Sequence, residues 1–513
     1  MPEAPEAASV NRWILLVVLM IGTFMSVLDS TIMNVAMPHI MSSFGSNLEK
    51  AQWISTGFMI AAAVAMPLTS WLGRRVGYGT LFVGALTVFT VGAAFSTLAW
   101  SLNGLIFSRI VQGIGGGIVQ PTSIAILARV FPPDMRGRAF GIWSIGVMVA
   151  PTLGPTVGGV LIEFFGWRAI FTMSLGVGIM ALLLASAVLS RERDEEPQPF
   201  DFPGYLALSV FLVSALLTVA NGQEQGWTSN IILLGGALAA TSLTLFFVVE
   251  WDAEYPIVPL RMFRVPDLSL SLVLNLFKAT TWGGGSFLLP VFLHQVQRRA
   301  SMQIGLLMMP GAMMMALGSP VAGYLTDRIG GRWLAFAGTL CMAYGVFLYH
   351  SLDTVSELWM ILYPQFIRGV GMALISTPVM TTAVNAVPRE DAGNASWMLK
   401  LSQRIGGAFS ISILSTILSR QTSIQKDNLG RSALANVEPS QDMIYLGMSL
   451  GFSSLDARSA ARAVFGRTLG KAATTLAFQN LFLMLGTVAL LASIPAFFLT
   501  VFKTPPAASP AGD

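Results

Sequence analysis

One acidic residue of this chain, Asp29, lies in an apolar segment, where a charge is energetically unfavourable. Residues 28–38 read Leu-Asp-Ser-Thr-Ile-Met-Asn-Val-Ala-Met-Pro and close an apolar run that starts at Trp13 and is long enough to cross a bilayer. Asp29 is therefore predicted to lie inside a membrane helix, where a carboxylate costs about 3 kcal/mol unless it is protonated, paired or hydrated. An acid kept at that cost indicates proton binding and release. The other interpretation is a buried carboxylate that caps a helix or bonds a neighbouring hydroxyl group.

A second charged residue, Arg109, falls in a later apolar run. An arginine does not lose its proton in proteins, so Arg109 can only bias a neighbouring acid and order water. Asp29 is then the group predicted to titrate, and the two residues form a candidate charge relay. The structural alternative for Arg109 is a pair with a helix-end carbonyl or with Asp29 itself.

No other residues predict catalysis. The three histidines, His39, His294 and His350, are scattered without metal-ligand spacing, and the run 113–117, Gly-Ile-Gly-Gly-Gly, lacks the Lys-Ser/Thr of a phosphate loop. The lone Cys341 excludes an intrachain disulfide. We therefore expect neither an enzyme nor a metal or cofactor site, and a proton is the only coupling species. The net charge of +4 reflects membrane topology and does not indicate a nucleic-acid partner.

The elements that position these residues are predicted to be membrane helices. Of the 513 residues, 54% are hydrophobic and 11% are charged, against roughly 25% charged residues in soluble domains, which indicates an all-α polytopic membrane protein. Apolar runs of spanning length are found at about 13–36, 52–72, 79–99, 103–128, 139–164, 169–189, 204–221, 230–250, 269–293, 303–325, 333–350, 358–386, 395–418 and 476–502. The total is fourteen helices, of which 395–418 is the least regular because Lys400 and Arg404 interrupt it.

The count of basic residues predicts the orientation. Loops on the side of the termini hold fourteen Lys and Arg residues, whereas the opposite short loops hold only Lys50, Arg168, Arg298 and Arg299. Positive charge stays in the cytoplasm, so both termini are predicted to be cytoplasmic and the polar segment 419–475 external.

The chain also repeats itself. The stretch 70–77, Ser-Trp-Leu-Gly-Arg-Arg-Val-Gly, returns at 323–330 as Gly-Tyr-Leu-Thr-Asp-Arg-Ile-Gly, and Pro38 and Pro67 return as Pro290 and Pro320. Two parallel copies with a site between them are typical of transporters. We predict an N-terminal six-helix bundle at 1–190, two inserted helices with cytoplasmic links at 191–268, a C-terminal six-helix bundle at 269–502 that includes the external loop 419–475, and a cytoplasmic tail at 503–513.

The repeats differ at the charged residues. Asp29 aligns with Thr281, and Arg109 aligns with Gln365, so the membrane acid and the membrane guanidinium are both predicted only in the first half.

The fifth predicted helix carries small residues on one face. Gly146, Ala150, Gly154 and Gly158 recur every four residues, which lets another helix approach to backbone contact, and Pro151 and Pro155 predict kinks. Such a face suits a helix that rocks at the interface between the halves. Ordinary small-residue packing is the simpler interpretation.

These motifs together resemble one family. The stretch 28–38 resembles the first-helix signature of the fourteen-spanner drug:proton antiporters of the major facilitator superfamily, the EmrB/QacA-like group. The run 109–117 looks like that family's fourth-helix motif, and Gly154-Pro155-Thr-Val-Gly158-Gly159 looks like its antiporter motif. Trp53-Ile-Ser-Thr56 and Gly166-Trp167-Arg168 also match, so the resemblance covers nearly the whole chain.

The resemblance implies a proton-driven multidrug efflux permease of a bacterial inner membrane, associated with antibiotic resistance and acting on small amphipathic substrates. Proton coupling falls to Asp29 and Arg109, and the antiporter motif comprises Gly146, Gly154, Pro155, Gly158 and Gly159. The polar and aromatic groups expected to line the substrate site are Asn34, Gln112, Lys278, Trp282, His294 and Gln295. The cytoplasmic gate comprises Arg74, Arg75, Asp327 and Arg328.

Two residues depart from the family pattern. Arg74 stands where the family usually has an acid, so the gate is expected to rely on the second half or on a different partner for Arg75. Lys278 does not suit a site for lipophilic cations, and could pair with a carboxylate, attract an anionic substrate or snorkel to the membrane surface.

Several alternatives stay open. The chain could export one endogenous metabolite or lipid, which Lys278 favours, or could be a membrane scaffold or sensor that does not transport. The segment 419–475, with helix-like stretches such as 457–469, could dock a periplasmic adaptor in a double-membrane bacterium or be a solvated connector.

Overall fold

A computed structural model of the chain describes residues 11–189, 198–436, 448–449 and 453–500. The predicted tail at 503–513 and parts of the links at 190–197 and 437–452 lie outside the described residues. The α-helices are α1 Arg12–Phe44, α2 Leu48–Ala65, α3 Leu68–Val76, α4 Tyr78–Thr97, α5 Leu102–Val130, α6 Arg136–Phe165, α7 Arg168–Val188, α8 Phe202–Gln225, α9 Asn230–Asp252, α10 Pro266–Gln295, α11 Ser301–Ile329, α12 Gly331–Phe347, α13 Trp359–Asn385, α14 Ala392–Asn436, α15 Ser454–Leu491 and α16 Ser493–Phe498.

The helix ends follow local sequence signals. Asn11, Asn47 and Ser101 cap α1, α2 and α5 by accepting a hydrogen bond from a backbone N–H in the first turn. Gly77 and Gly330 join α3 to α4 and α11 to α12 with φ of +84° and +83°, which side chains rarely tolerate. The two glycines occupy equivalent positions of the sequence repeat, so the repeat extends to backbone conformation.

The two halves repeat the same helix packing. In the first half α4 packs on α5 and α7, α2 packs on α5, and α1 packs on α6; in the second half α12 packs on α13 and α15, α11 on α13, and α10 on α14. This correspondence agrees with the parallel copies predicted from the sequence. The halves meet where α6 packs on α11, and the inserted α8, paired with α9, contacts both α2 and α14.

Fewer helices meet the length and hydropathy criteria for a membrane span than the fourteen predicted. Among the described residues, ten helices are long and apolar enough to cross a membrane, or twelve if each of two bent pairs is one span. The predicted second helix is broken between α2 and α3 by 56°, next to Pro67, and α6 bends by 42° after Pro151. The long helices α10 and α14 are not among the twelve, because polar and charged residues punctuate them. The total of fourteen stays a prediction.

The segment 419–475, predicted to be external, is more helical than expected. α14 continues from its predicted membrane part, 395–418, to Asn436, and α15 begins at Ser454, so much of 419–475 consists of extensions of these two helices. The helix-like stretch 457–469 lies within α15.

Candidate functional site

Asp29 lies in a closed polar cluster between helices of the first half. Its side chain is fully buried and pairs with Arg109 of α5. It also accepts hydrogen bonds from Gln112 Nε2 at 3.1 Å and from Ser174 Oγ of α7 at 2.9 Å. Three donors therefore compensate the charge, and the contacts with Arg109 and with a hydroxyl group are those named by the structural alternatives for Asp29 and Arg109.

Arg109 is equally buried and is held on several sides. It donates to Gln112 Oε1 at 2.5 Å, and its guanidinium lies over Phe58 of α2 at 4.4 Å and Phe171 of α7 at 5.8 Å. Its Nε and second terminal nitrogen have no hydrogen-bond partner among the described residues. Removing one partner of such a buried pair typically costs about 3–5 kcal/mol, because the remaining charge is left buried without compensation.

Glycines on α5 allow this cluster to form. A Cβ at Gly113 would lie 2.5 Å from the Phe58 carbonyl oxygen, and a Cβ at Gly117 would lie 2.7 Å from Ala62 Cα. α2 therefore approaches α5 to backbone contact, which places Phe58 against the Arg109 guanidinium.

The small face of α6 packs on α1. A Cβ at Gly154 would collide with Thr31, and a Cβ at Gly158 would lie 2.8 Å from Ile32 Cγ2. Gly146 likewise faces Met20 of α1. This face is therefore next to the helix that carries the acid, although α6 as a whole also lies at the interface between the halves, as expected.

A different part of α6 forms the interface between the halves. A Cβ at Gly141 would lie 2.6 Å from the Ser319 carbonyl oxygen of α11, and Gly137 faces Gly323. The Cβ position of Gly159 has no atom within 4 Å, and Pro155 is exposed.

At one end of the molecule the halves are joined by polar contacts. Asp327 of α11 accepts hydrogen bonds from the backbone N–H groups of Gly137, at 2.7 Å, and Arg138, at 2.9 Å, at the start of α6. Arg74 of α3, at the equivalent position of the first half, pairs at 3.0 Å with Asp391, which precedes α14. The two contacts are related by the repeat, because positions 327 and 74 are equivalent. In the first contact the acid is Asp327 at that position, whereas in the second contact that position is Arg74 and the acid is its partner, Asp391.

The other gate residues stack within their own halves. Arg75 lies over Trp71 at 5.2 Å, and Arg328 lies over Tyr324 at 4.4 Å. Arg75 therefore contacts only its own half in these stacking interactions, and it is Arg74 that pairs with a residue of the second half, Asp391.

The second half has a buried guanidinium of its own. Arg368 of α13 is fully buried, donates to Gln365 Oε1 at 2.9 Å and lies over Trp282 of α10 at 5.1 Å. The prediction that a membrane guanidinium exists only in the first half is therefore wrong. The order of arginine and glutamine is reversed between the repeats, so Arg368 occupies the position of Gln112.

The residues expected to line the substrate site do not form one group. Gln112 belongs to the Asp29 cluster, Asn34 is exposed on α1, and His294 and Gln295 are exposed at the far end of α10. Lys278 is buried on α10, one helical turn before the half-buried Trp282.

Sequence reasoning missed three contributors. Ser174 is one of many hydroxyl residues in apolar helices, and nothing local distinguishes it. Asp391, in the Arg-Glu-Asp run before α14, could have been paired with Arg74 only through the fold. Arg368 was detectable, because it aligns with Gln112 in the repeat.

Comparison with known proteins agrees with this architecture. The profile of the Major Facilitator Superfamily matches residues 19–411. The Multidrug export protein EmrB of Escherichia coli (strain K12) is 30% identical over 426 residues, 82% of this chain and 82% of that protein. The Tetracenomycin C resistance and export protein of Streptomyces glaucescens is 30% identical over 436 residues, 83% of this chain and 80% of that protein.

A solved structure shares the fold. The structure of the proton:xylose symporter XylE superposes with a TM-score of 0.60 at 14% identity and covers 95% of this chain and 96% of that one. The profile match, the similarity to exporters over four fifths of the chain and the repeated helix packing lead to one conclusion. This chain belongs to the Major Facilitator Superfamily and is a multi-pass membrane transporter, not an enzyme.

Proposed function

We propose that this chain is a proton-driven exporter of small amphipathic compounds that works by alternating access, with Asp29 as the coupling acid. The observation that carries the proposal is the fully buried Asp29–Arg109 pair, which exists without a corresponding acid in the second half. The relatives named for multidrug export and tetracenomycin export support the direction and the class of cargo.

The cluster gives a physical reason for coupling. Binding a proton to Asp29 removes the negative charge that compensates Arg109, so the interactions between α1, α5 and α7 weaken together. Returning the proton restores the pair. Substrate and proton need only favour opposite protonation states of this cluster, and need not contact the same atoms.

The contacts between the halves support an outward-facing arrangement. The Arg74–Asp391 and Asp327–α6 contacts both join the two halves on the predicted cytoplasmic side. Arg136 also donates a hydrogen bond to Asn385 there, at 2.7 Å. We propose that these contacts close the inner gate, that Arg75 and Arg328 support it, and that both termini lie in the cytoplasm of a bacterial inner membrane.

The substrate would lie between the halves. We propose that Lys278 and Trp282 contact it near mid-membrane, while Asn34, His294 and Gln295 act at the outer mouth, where they are exposed. Gln112 would act mainly on Asp29. The antiporter motif, Gly146 to Gly159, would let α1 shift against α6 when the protonation of Asp29 changes.

A periplasmic adaptor is a further proposal about partners. The extensions of α14 and α15 project beyond the predicted outer surface, because the 18 residues 419–436 of a continuous helix span about 27 Å. Such a projection would offer a docking site in a double-membrane bacterium. Shortening both extensions equally should then abolish co-purification with the adaptor without changing proton exchange in vesicles.

One observation favours a second candidate function, the export of a single endogenous compound. Lys278 is a buried cation that a general site for lipophilic cations would not need. A resistance profile restricted to one compound in an expressing strain would favour this alternative over multidrug export.

The test uses inverted vesicles energised by respiration, with interior pH followed by dye dequenching. Amphipathic cations, anions and zwitterions are added in turn to vesicles with wild type, Asp29→Asn or Glu163→Gln. Glu163→Gln makes the same chemical change at an exposed acid of α6. We expect substrate-induced proton efflux in wild type and Glu163→Gln and none in Asp29→Asn. Efflux that persists in Asp29→Asn would place coupling elsewhere, and no efflux in any vesicle would favour a scaffold or sensor.

A further inference from the structure

In the part of the second half that the structure describes, the interior carries basic residues without matching acids. Lys278 lies on α10, Arg368 on α13, and Lys400 and Arg404 on the membrane part of α14. In the described parts of α10 to α13, the acids are Asp267 and Asp327, at helix ends facing the predicted cytoplasmic side. The first half instead has Asp29 to balance Arg109. The described interior of the second half is therefore more positively charged than that of the first half.

Lys278 has no counter-ion in the part of the chain that the structure describes. The residue is 5% exposed, and its ammonium group forms neither an ion pair nor a hydrogen bond with any described residue. Asn275, one turn before Lys278, donates hydrogen bonds to the Leu399 carbonyl oxygen at 2.6 Å and to Ser402 Oγ at 2.8 Å, so Lys278 lies beside the part of α14 that carries Lys400 and Arg404. Lys278, Lys400 and Arg404 are called the cationic cluster below.

The other members of the cationic cluster are poorly compensated as well. Among the described residues, Lys400 reaches only Gln403 Oε1, at 3.5 Å, and the face of Trp143 of α6, at 5.1 Å. Arg404 is half-buried and has no ion pair among the described residues. The Trp143 contact crosses between the halves, so the cationic cluster borders the space where substrate is proposed to bind.

Two of the open interpretations of Lys278 do not fit this geometry. No described carboxylate pairs with it, and its buried position beside α14 does not suit a side chain that extends along the lipid surface. Lys278 is twelve residues into α10, about 18 Å from the start of that helix. Like charges held together in a low-dielectric interior repel each other, and an anion among them would reverse the sign of that interaction.

We propose that the cationic cluster binds the acidic group of the transported substrate, which is an amphiphile that carries a sulfonate, phosphate or carboxylate. This inference rests on the proposed export function and specifies its substrate class. The ammonium of Lys278 and the guanidinium of Arg404 hold the anionic group with charge-assisted hydrogen bonds. Trp282, one turn further along α10, and the partly buried Phe277 and Ile405 contact the apolar part.

An anionic substrate changes the electrical balance of transport. When one monovalent anion leaves the cell as one proton enters, two positive charges move inward per cycle. Exchange of a monovalent cation for one proton moves none. The membrane potential should therefore accelerate export of the anion as well as the pH gradient does.

The test compares two permanently charged probes, a dansyl-labelled alkyl sulfonate and the same molecule with a trimethylammonium group. Binding is measured by dansyl fluorescence on the full chain in nanodiscs, for wild type, Lys278→Gln, Arg404→Gln, Lys278→Arg and the exposed control Lys50→Gln. We expect Lys278→Gln and Arg404→Gln each to raise the Kd of the sulfonate about tenfold, the loss expected for one charge-assisted hydrogen bond. Lys278→Arg and Lys50→Gln should bind it nearly as wild type does.

Transport of the same probes separates this inference from the proposed function. In proteoliposomes, an imposed potassium diffusion potential should drive the sulfonate in wild type. The inference is overturned if wild type binds only the trimethylammonium probe, if it binds neither, or if Lys278→Gln leaves sulfonate binding unchanged. Proton-coupled movement of the trimethylammonium probe would then still uphold the exporter. Sulfonate binding without any response to a pH gradient would instead contradict proton coupling and leave the anion site standing.

Discussion

At Asp29 the free energy of a buried charge depends on three donors, and these donors are not equivalent. Ser174 contributes a single hydrogen bond to a charged group, worth about 1.5–3 kcal/mol. Arg109 compensates the full charge, and loss of either member of such a pair costs about 3–5 kcal/mol because the other is left unpaired. The pair is therefore the part of the cluster that a proton can switch.

This inequality predicts a strong coupling between the two residues. Arg109→Gln should destabilise the protein by about 3–5 kcal/mol, and the double variant Asp29→Asn with Arg109→Gln should recover most of that loss, since no unpaired charge remains. Thermal unfolding of the purified protein, followed by tryptophan fluorescence, measures both. Additive effects of the two substitutions would show that the residues do not act as a pair.

At Lys278 the same reasoning predicts the opposite sign. A buried cation without a counter-ion reduces stability, so Lys278→Met, which keeps the length of the side chain and removes its charge, should stabilise the substrate-free protein by about 1–3 kcal/mol. Lys50→Met, at an exposed position, should change the Tm little. A lower Tm for Lys278→Met would assign Lys278 a structural role.

At the scale of helices, apolar runs and breakers predicted most of the architecture. Each predicted span overlaps helical structure, although 52–72 is divided between α2 and α3 and 476–502 between α15 and α16. α14 is continuous through Lys400 and Arg404, because helices tolerate buried charge when packing allows it. The placement of Asp29 and Arg109 inside helices of the first half followed from the apolar runs and the repeat. The partners Ser174 and Asp391 could not be predicted, since residues 145 and 317 positions away from Asp29 and Arg74 meet only through packing.

Because α6 packs on α1, two glycines of the same motif should differ in their tolerance of an added methyl group. Gly154→Ala places a Cβ against Thr31 and should force α6 away from α1, at a cost of about 1–3 kcal/mol, with most transport lost. Gly159→Ala meets no atom within 4 Å and should transport nearly as wild type does. Export rates at matched expression distinguish them, and equal loss in both variants would mean that the motif acts through backbone flexibility.

At the scale of the whole molecule, the two halves close one end through contacts that the repeat relates. Asp327 bonds the start of α6, and Arg74 bonds the residue that precedes α14, the helix equivalent to α6. Opening this end requires both contacts to break. In the proposed alternating-access cycle, each contact therefore stabilises the outward-facing arrangement relative to the inward-facing one.

A charge exchange tests the less familiar of these contacts. Asp391→Arg should shift the equilibrium toward the inward-facing arrangement, about fivefold for each 1 kcal/mol lost, and the combination with Arg74→Asp should largely restore it. Labelling of a cysteine introduced near Asn385, in a background with Cys341 replaced, reports how open this end is. Labelling that stays high in the double variant would mean that Arg74 and Asp391 do not stabilise closure as a pair.

The most direct test of the central claim separates transport from proton coupling in one preparation. Proteoliposomes with wild type or Asp29→Asn are assayed for uptake driven by a pH gradient and for exchange of labelled against unlabelled substrate without a gradient. If Asp29 is the coupling acid, the variant should lose gradient-driven uptake and retain exchange, because the neutral asparagine mimics the protonated state and still allows substrate-bound transitions. Gradient-driven uptake at the wild-type level in Asp29→Asn would contradict the account.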